Sequence, residues 1–296
     1  MSVATLAASP DAPPGAPSAE SKLFGSALEP LPPRAAPLPR FVRETAMLVG
    51  RSLRMIKHVP ERLSDVTIQP VIFTLLFVYV FGSAIAVPGM RYQDYLMPGL
   101  LGQSLAFGVM GAGVATATDF SSGVVDRFRS LPIHPLSVVS AQVLGQIIEQ
   151  LLGIVIVVGL GFAVGWRPDL GFTDALALGG VVLLGLLAFT WFGVLIGMMF
   201  PSPDGVQGVG FALVLPLSFL AGTFVPIEGM ATVPRLIAEW DPLSPFVAAI
   251  RELCTGVPAT GSWQLEHALA MTLAWCAAML VICVPLALRR FRSLAS

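Results

Sequence analysis

The feature that most constrains the fold of this chain is the recurrence of long apolar segments. Six of them are 20 to 29 residues long and hold at most one charged side chain each. A helix rises about 1.5 Å per residue, so about 20 apolar residues cross a hydrocarbon core of about 30 Å. The sequence therefore predicts an all-α integral membrane protein with six transmembrane helices. The predicted spans cover residues 66–87, 95–118, 137–165, 173–200, 206–225 and 266–288.

The composition of the chain agrees with a membrane location. Only 12% of the residues are charged, whereas a soluble domain needs about 25% to cover its surface. Seventeen Lys and Arg residues against 18 Asp and Glu residues leave no basic excess for nucleic-acid binding. The cysteines, Cys254, Cys276 and Cys283, include no C-x-x-C pair, so neither a disulfide framework nor a zinc site is predicted.

Two different segments precede the first predicted span. Residues 1–40 contain nine of the 25 prolines and are predicted to form a disordered cytoplasmic tail, because they bury too little apolar surface to fold. Residues 41–62 are predicted to form an amphipathic helix in the headgroup region of the membrane. The alternative is a helix that packs on a soluble partner. The cations on its polar face include Arg43, Arg51, Arg54 and Lys57.

The distribution of Lys and Arg predicts the orientation. With a cytoplasmic N-terminus, 13 of the 17 basic residues fall on the cytoplasmic side of the six spans. This asymmetry is typical of inner loops. We therefore expect a multi-pass protein of the plasma (inner) membrane with both termini in the cytoplasm.

Motifs of common catalytic sites are absent from the sequence. Neither Lys22 nor Lys57 follows a glycine, so the chain has no P-loop to bind ATP phosphates. The three histidines, His58, His134 and His267, lack the spacing of metal ligands. No enzyme activity, metal or cofactor is therefore predicted for the chain itself.

Polar residues recur on one side of the third predicted span. Gln142, Gln146, Glu149 and Gln150 fall within about 100° of arc on a helix. An ionisable group deep in a membrane by default faces the bundle interior or a watery cavity. The stripe is either a wall of a substrate pathway or dimer seam, or a neutral carboxylic acid hydrogen-bonded to glutamines for packing.

Two Gly-x-x-x-Gly spacings occur in the spans, at Gly161 and Gly165 and at Gly193 and Gly197. Such spacings allow two helices to approach closely, although Gly is common in all membrane helices.

The loop between the second and third spans presents Phe128 between Arg127 and Arg129. Aromatic and Arg side chains dominate the hot spots of protein interfaces. From the residues alone, this loop either ends two helices or docks a soluble partner.

The segment between the fifth and sixth spans contains five prolines, which limit any helices there to short ones. It is predicted to form short re-entrant helices on the extracellular side rather than a folded domain. Its carboxylates indicate either a solvated outer surface or a cation-collecting site. They are Glu228, Glu239, Asp241 and Glu252.

Two sequence motifs resemble those of type-2 ABC exporter permeases, most closely the daunorubicin-resistance-like multidrug branch. The first is Asp-Arg-Phe-Arg-Ser-Leu-Pro at residues 126–132. The second is Gly-Thr-Phe-Val-Pro at residues 222–226, followed by Asp-Pro-Leu-Ser-Pro at residues 241–245 and by Arg251. The resemblance covers residues 41–292.

The resemblance implies a separate ATPase subunit, which would bind ATP and Mg. Phe128 would plug into that subunit, and the helix from residue 41 to residue 57 would be the connecting helix that also touches it. The residues that the resemblance assigns to the coupling loop are Gly123, Asp126, Arg127, Phe128, Arg129, Leu131 and Pro132.

The resemblance also implies how the assembly works. Residues 63–296 would be a permease domain that pairs with a second permease copy, as a homo- or heterodimer, and exports amphipathic drugs or lipids. The re-entrant region would close the pathway from outside. The residues of the re-entrant region are Pro226, Pro242, Pro245 and Arg251.

An alternative to an ATP-driven exporter is a proton-coupled secondary exporter that uses Glu149.

Overall fold

The structure, a computed structural model, describes residues 60–293 apart from residues 83, 86, 88, 123–134, 201 and 260. In this part of the chain the regular structure is helical and no strand occurs. The helices are α1 (Pro60–Leu75), α2 (Tyr92–Ser121), α3 (Pro135–Ala163), α4 (Phe172–Gly197), α5 (Pro203–Leu220), α6 (Thr232–Trp240), α7 (Leu243–Thr255), α8 (Trp263–Glu266) and α9 (Ala268–Ser293). A π-helix, Leu76–Phe81, continues α1, and a 3-10 helix, Ile227–Gly229, precedes α6.

Among the described residues, five helices are long and apolar enough to cross a membrane. They are α2, α3, α4, α5 and α9, and they correspond to the second to sixth predicted spans. The predicted first span, residues 66–87, coincides with a shorter apolar helical stretch, Ile68–Phe81. The helical, multi-pass architecture is therefore confirmed.

The fifth predicted span ends earlier than its hydropathy suggests. The prediction placed its end at residue 225, whereas α5 ends at Leu220. Gly222 has a φ of +66°, a left-handed conformation that glycine adopts without strain. Thr223 and Phe224, which follow, are buried in the turn, and Phe224 is 1% exposed. Hydropathy alone cannot separate such a buried turn from the end of a span.

α2 is the central helix of the described structure. It contacts α1, α3, α4, α5 and α7, and its Leu96, Met97 and Leu105 are fully buried. Because neighbours surround it, its sequence is apolar on all sides and has no amphipathic stripe.

The contact between α2 and α4 depends on glycines. A Cβ atom on Gly193 would clash with the carbonyl oxygen of Val109, and one on Gly197 would clash with that of Gly113. The Gly193 and Gly197 spacing thus brings two helices together, as predicted. The other spacing does not act as a pair: a Cβ atom on Gly161 would meet the side chains of Trp166 and Met97, but Gly165 has a φ of +93° and lies in the turn after α3.

α7 is inserted among the longer helices. It packs against α2, α4 and α9, and its first eight residues, including Phe246 and Ile250, are all buried. α6, in contrast, exposes Val233, Leu236 and Trp240. In the segment between α5 and α9, residues 221–267, α7 therefore lies within the bundle and α6 on its surface.

Candidate functional site

A cavity of about 690 Å³ lies among α1, α2, α3 and α5. Its volume is within the range of about 300–1,000 Å³ that is typical of small-molecule sites. Much of its wall is apolar and includes Phe73, Phe107 and Phe211. The hydrogen-bonding side chains of the wall are Gln69, Gln103, Ser104, Thr118, Gln146, Glu149, Gln150 and Gln207.

The polar stripe predicted on the third span contributes three side chains to this cavity. Gln146, Glu149 and Gln150 line the wall, whereas Gln142 is not among the lining residues. Gln142 lies one turn closer to the N-terminal end of α3 and is half-buried. The stripe is therefore a face of α3 that meets the cavity along part of its length.

Glu149 lies at the midpoint of α3, with 14 of the 29 residues of the helix on each side. This position is about 21 Å from either helix end. A carboxyl group at such depth is costly to place in hydrocarbon. Its place in the cavity wall keeps it within the bundle.

Gln150 is held between two neighbouring helices. Its Nε2 donates a hydrogen bond of 3.0 Å to Oγ1 of Thr190 on α4. On the other side it packs against Gly108 of α2, where a Cβ atom would clash with its amide. Thr190 is itself fully buried, so the amide of Gln150 is a fixed part of the wall.

Most of the wall glutamines have no hydrogen-bond partner in the described part of the chain. No side-chain hydrogen bond of Gln69, Gln103, Gln146 or Gln207 to a described residue is present, although Gln103 is 5% and Gln146 9% exposed. Nε2 of Gln103 and Oε1 of Gln150 are fully buried and have no hydrogen-bond partner among the residues that the structure describes. An amide left without a partner in a low-dielectric environment costs about 1–3 kcal/mol. The cavity therefore favours contents that hydrogen-bond.

A second cluster joins the segment between α5 and α9 to the N-terminal end of α2. The guanidinium of Arg251 donates to the carbonyl oxygen of Gly222 at 2.9 Å and to that of Tyr95 at 3.2 and 3.3 Å. It also lies 3.7 Å from the centre of the Tyr95 ring. The Tyr95 hydroxyl donates to the same Gly222 carbonyl at 2.7 Å, and the Tyr92 hydroxyl donates to the carbonyl of Phe224 at 3.3 Å.

The prolines predicted for this region lie at helix starts. Pro226 immediately precedes the 3-10 helix, Pro242 immediately precedes α7, and Pro245 lies in the first turn of α7. A proline is tolerated there because the first amides of a helix have no partner within the helix. Together with Arg251, these residues thus shape and anchor the segment.

A solvated outer surface is the wrong prediction for Asp241. This carboxylate is 5% exposed, and one of its oxygens accepts a hydrogen bond of 3.1 Å from the Leu243 amide at the start of α7. Burial raises the pKa of Asp241 to about 6, although the Leu243 amide acts in the opposite direction. The sequence does not show which acidic residue of this segment turns inward, and Asp241 does so to cap α7.

The residues assigned to the ATPase contact lie outside the described residues. Those of the coupling loop are Gly123, Asp126, Arg127, Phe128, Arg129, Leu131 and Pro132, and those of the connecting helix are Arg43, Arg51, Arg54 and Lys57. Their roles remain predictions.

Sequence reasoning missed several residues of the site. Gln69, Gln103 and Gln207 each stand on a different helix, so no periodic stripe marked them. The signal that could have found them is their rarity, because an amide within an apolar helix needs a reason to be there. Tyr92 and Tyr95, at the start of α2, were missed because their partners are more than 120 residues away.

Comparison with known proteins identifies the family. Residues 43–254 match the family of ABC-2 type transporters. The chain belongs to this family. The resemblance predicted from the two motifs is thereby confirmed, and this ABC-2 type transporter chain is a permease subunit. Among the described residues, no group of His, Cys, Asp and Glu side chains could hold a metal ion.

Several individual permeases are similar to this ABC-2 type transporter chain. The daunorubicin resistance ABC transporter permease protein DrrB1 of Streptomyces coeruleorubidus is 29% identical over 252 residues, 85% of this chain and 87% of the relative. The doxorubicin resistance ABC transporter permease protein DrrB of Mycobacterium tuberculosis is 28% identical over 72% of this chain and 76% of the relative. The putative transport permease YvfS of Bacillus subtilis is 26% identical over 64% of this chain and 76% of the relative.

Proposed function

We propose that this permease exports amphipathic drugs or lipids from the cell, with ATP hydrolysed by a separate subunit. The observation that carries this proposal is the cavity of about 690 Å³ with a mixed apolar and amide wall. Such a wall suits a molecule that has both an apolar body and polar groups. The names of the relatives, which refer to daunorubicin and doxorubicin resistance, support amphipathic drugs as one substrate class.

The proposal includes six spans with both termini in the cytoplasm. α1 and the π-helix are 16 and 6 residues long and follow each other without a break. Their apolar stretch, Ile68–Phe81, is about 21 Å long, so it supplies most of the first span that the proposal places at residues 66–87. On this topology the segment between α5 and α9 lies at the outer side and forms short re-entrant helices. Its inserted helix, α7, supports that assignment.

The assembly would be a dimer of permeases with two ATPase subunits in the plasma (inner) membrane. ATP binding would act through the coupling loop, and the connecting helix would touch the same subunit. No residue of the permease performs covalent chemistry in this scheme. Its contribution is to bind substrate differently in two conformations, which is how a nucleotide shifts an equilibrium at a distant site.

Substitution of the coupling loop tests this proposal. We expect the double variant Phe128→Ala, Arg129→Glu to reduce the amount of co-purifying ATPase by about tenfold or more, because aromatic and Arg anchors dominate interface energies. The measurement is affinity purification of the tagged full chain from membranes, followed by assays of bound subunit and of ATP hydrolysis.

The matched control is Phe172→Ala. Phe172 is 87% exposed at the start of α4, and by the proposed topology it lies on the opposite side of the membrane. The control is expected to keep its ATPase. Equal recovery of an active ATPase with the loop variant and with wild type would contradict the assignment of the coupling loop.

A further inference from the structure

The cavity wall carries more amide groups than helix packing requires. Five glutamines line it: Gln69 from α1, Gln103 from α2, Gln146 and Gln150 from α3, and Gln207 from α5. Gln150 alone among them has a side-chain hydrogen bond within the described residues, to Thr190. Interhelical bonding therefore accounts for one amide of the five.

The other buried amides of the cavity wall need hydrogen-bond partners that are not side chains of the described residues. Gln103 and Gln146 are more than nine-tenths buried, and both stand on helices long and apolar enough to cross a membrane. An amide transferred to an apolar environment without hydrogen bonds is strongly disfavoured. Whatever fills the cavity, water or ligand, must therefore supply donors and acceptors.

The chemistry of the wall selects a class of ligand. Each glutamine offers an acceptor oxygen and two donor hydrogens, a set that matches hydroxyl groups, which both donate and accept. The wall also holds Phe73, Phe107 and Phe211, which suit the apolar part of a ligand. Only one ionisable side chain, Glu149, is among the described residues of the wall, so hydrogen-bonding groups outnumber charges.

We propose that the glutamines of this cavity form a subsite for the uncharged, hydroxyl-rich head group of an amphiphile, such as a glycosyl group. This inference rests on the proposed function, since it names the part of the substrate that the cavity holds. The aromatic side chains hold the apolar part. A glycolipid and a glycosylated small molecule share this chemistry.

Binding of three matched probes tests the subsite. The probes carry the same fluorescent nitrobenzoxadiazole-labelled alkyl chain and end in glucose, in trimethylammonium or in methyl. They are titrated against the full chain in lipid nanodiscs by fluorescence anisotropy. We expect the glucoside to bind about tenfold more tightly than either other probe, because several neutral hydrogen bonds replace unpaired amides.

Variants then locate the binding on the wall. Gln146→Leu and Gln103→Leu are each expected to weaken glucoside binding about tenfold and to leave binding of the methyl probe unchanged, because each removes a hydrogen-bonding partner and keeps the bulk. Gln142→Leu is the matched control, since Gln142 is on the same helix as Gln146 but is not a lining residue. It is expected to bind all three probes as wild type does.

The outcomes separate the possibilities. Competition by a soluble aryl glucoside assigns the site to small glycosides, and competition by a long-chain glucolipid alone assigns it to lipids; both support the subsite. Equal binding of the three probes, preference for trimethylammonium, or equal effects of Gln142→Leu and Gln146→Leu would overturn it. Binding in nanodiscs needs no ATPase, so failure of the coupling-loop experiment leaves this result interpretable, and the reverse holds as well.

Discussion

Replacing Arg251 with alanine is expected to lower the free energy of unfolding by about 3 kcal/mol, because it removes charged hydrogen bonds and a cation–π contact together. The Arg251 guanidinium bonds to the carbonyl oxygens of Tyr95 and Gly222 and lies over the Tyr95 ring. These contacts fix the segment between α5 and α9 to α2. The loss should appear as a lower midpoint of thermal unfolding in detergent, followed by tryptophan fluorescence.

Two further arginine variants make this prediction specific. Arg251→Lys keeps the charge but not the planar fork, so its midpoint should fall between those of wild type and alanine. Arg235→Ala removes an ion pair with Glu239 at 2.9 Å, in which the arginine side chain is 40% exposed. Such a surface pair contributes about 0–1 kcal/mol. Equal midpoints for Arg235→Ala and Arg251→Ala would show that Arg251 does not anchor the segment.

Replacing Gly197 with alanine is expected to destabilise the chain by about 1–3 kcal/mol, the range for added volume in a close-packed interior. The new methyl group would meet the backbone carbonyl of Gly113 on α2. Because that obstacle is backbone, no change of side-chain rotamer relieves it, and α2 and α4 must move apart. Gly193→Ala should behave alike, since its methyl group would meet the carbonyl of Val109.

The same helix provides the control for this substitution. A Cβ atom on Gly179 or Gly180 of α4 has no neighbour within 4 Å. Alanine there should stabilise the helix slightly, by up to about 1 kcal/mol, because it restricts the unfolded chain. The monodisperse fraction after heating, measured by size-exclusion chromatography, should therefore fall for Gly197→Ala and not for Gly180→Ala. A Gly197→Ala variant as stable as Gly180→Ala would contradict the observed helix contact.

The sequence predicted those features of the fold that depend on local pattern. Long apolar runs gave the second to sixth spans, and the helical period placed Gln146, Glu149 and Gln150 on one face of α3. The end of α5 was placed five residues too late, because the turn at Gly222 is as apolar as a span and is fixed by Tyr95 and Arg251, which lie far away in the chain.

The candidate site could be predicted only in part, for a related reason. The helical period shows which face of a helix carries several polar residues, whereas it assigns no face to a single amide such as Gln103 or Gln207. Their convergence depends on how α1, α2, α3 and α5 pack. The inward turn of Asp241 likewise depends on its bond to the start of α7, which no composition shows.

The energy source of transport distinguishes an ATP-driven exporter from a proton-coupled one. Inverted membrane vesicles that contain the complete transporter are mixed with a fluorescent amphipathic substrate in the outer medium and supplied either with ATP or with an imposed proton gradient. The predicted result is ATP-driven accumulation of the substrate that persists in the presence of a protonophore. In the Glu149→Gln variant, accumulation should still depend on ATP. Accumulation that is driven by the proton gradient without ATP, and that Glu149→Gln abolishes, would show that the protein is a proton-coupled exporter instead.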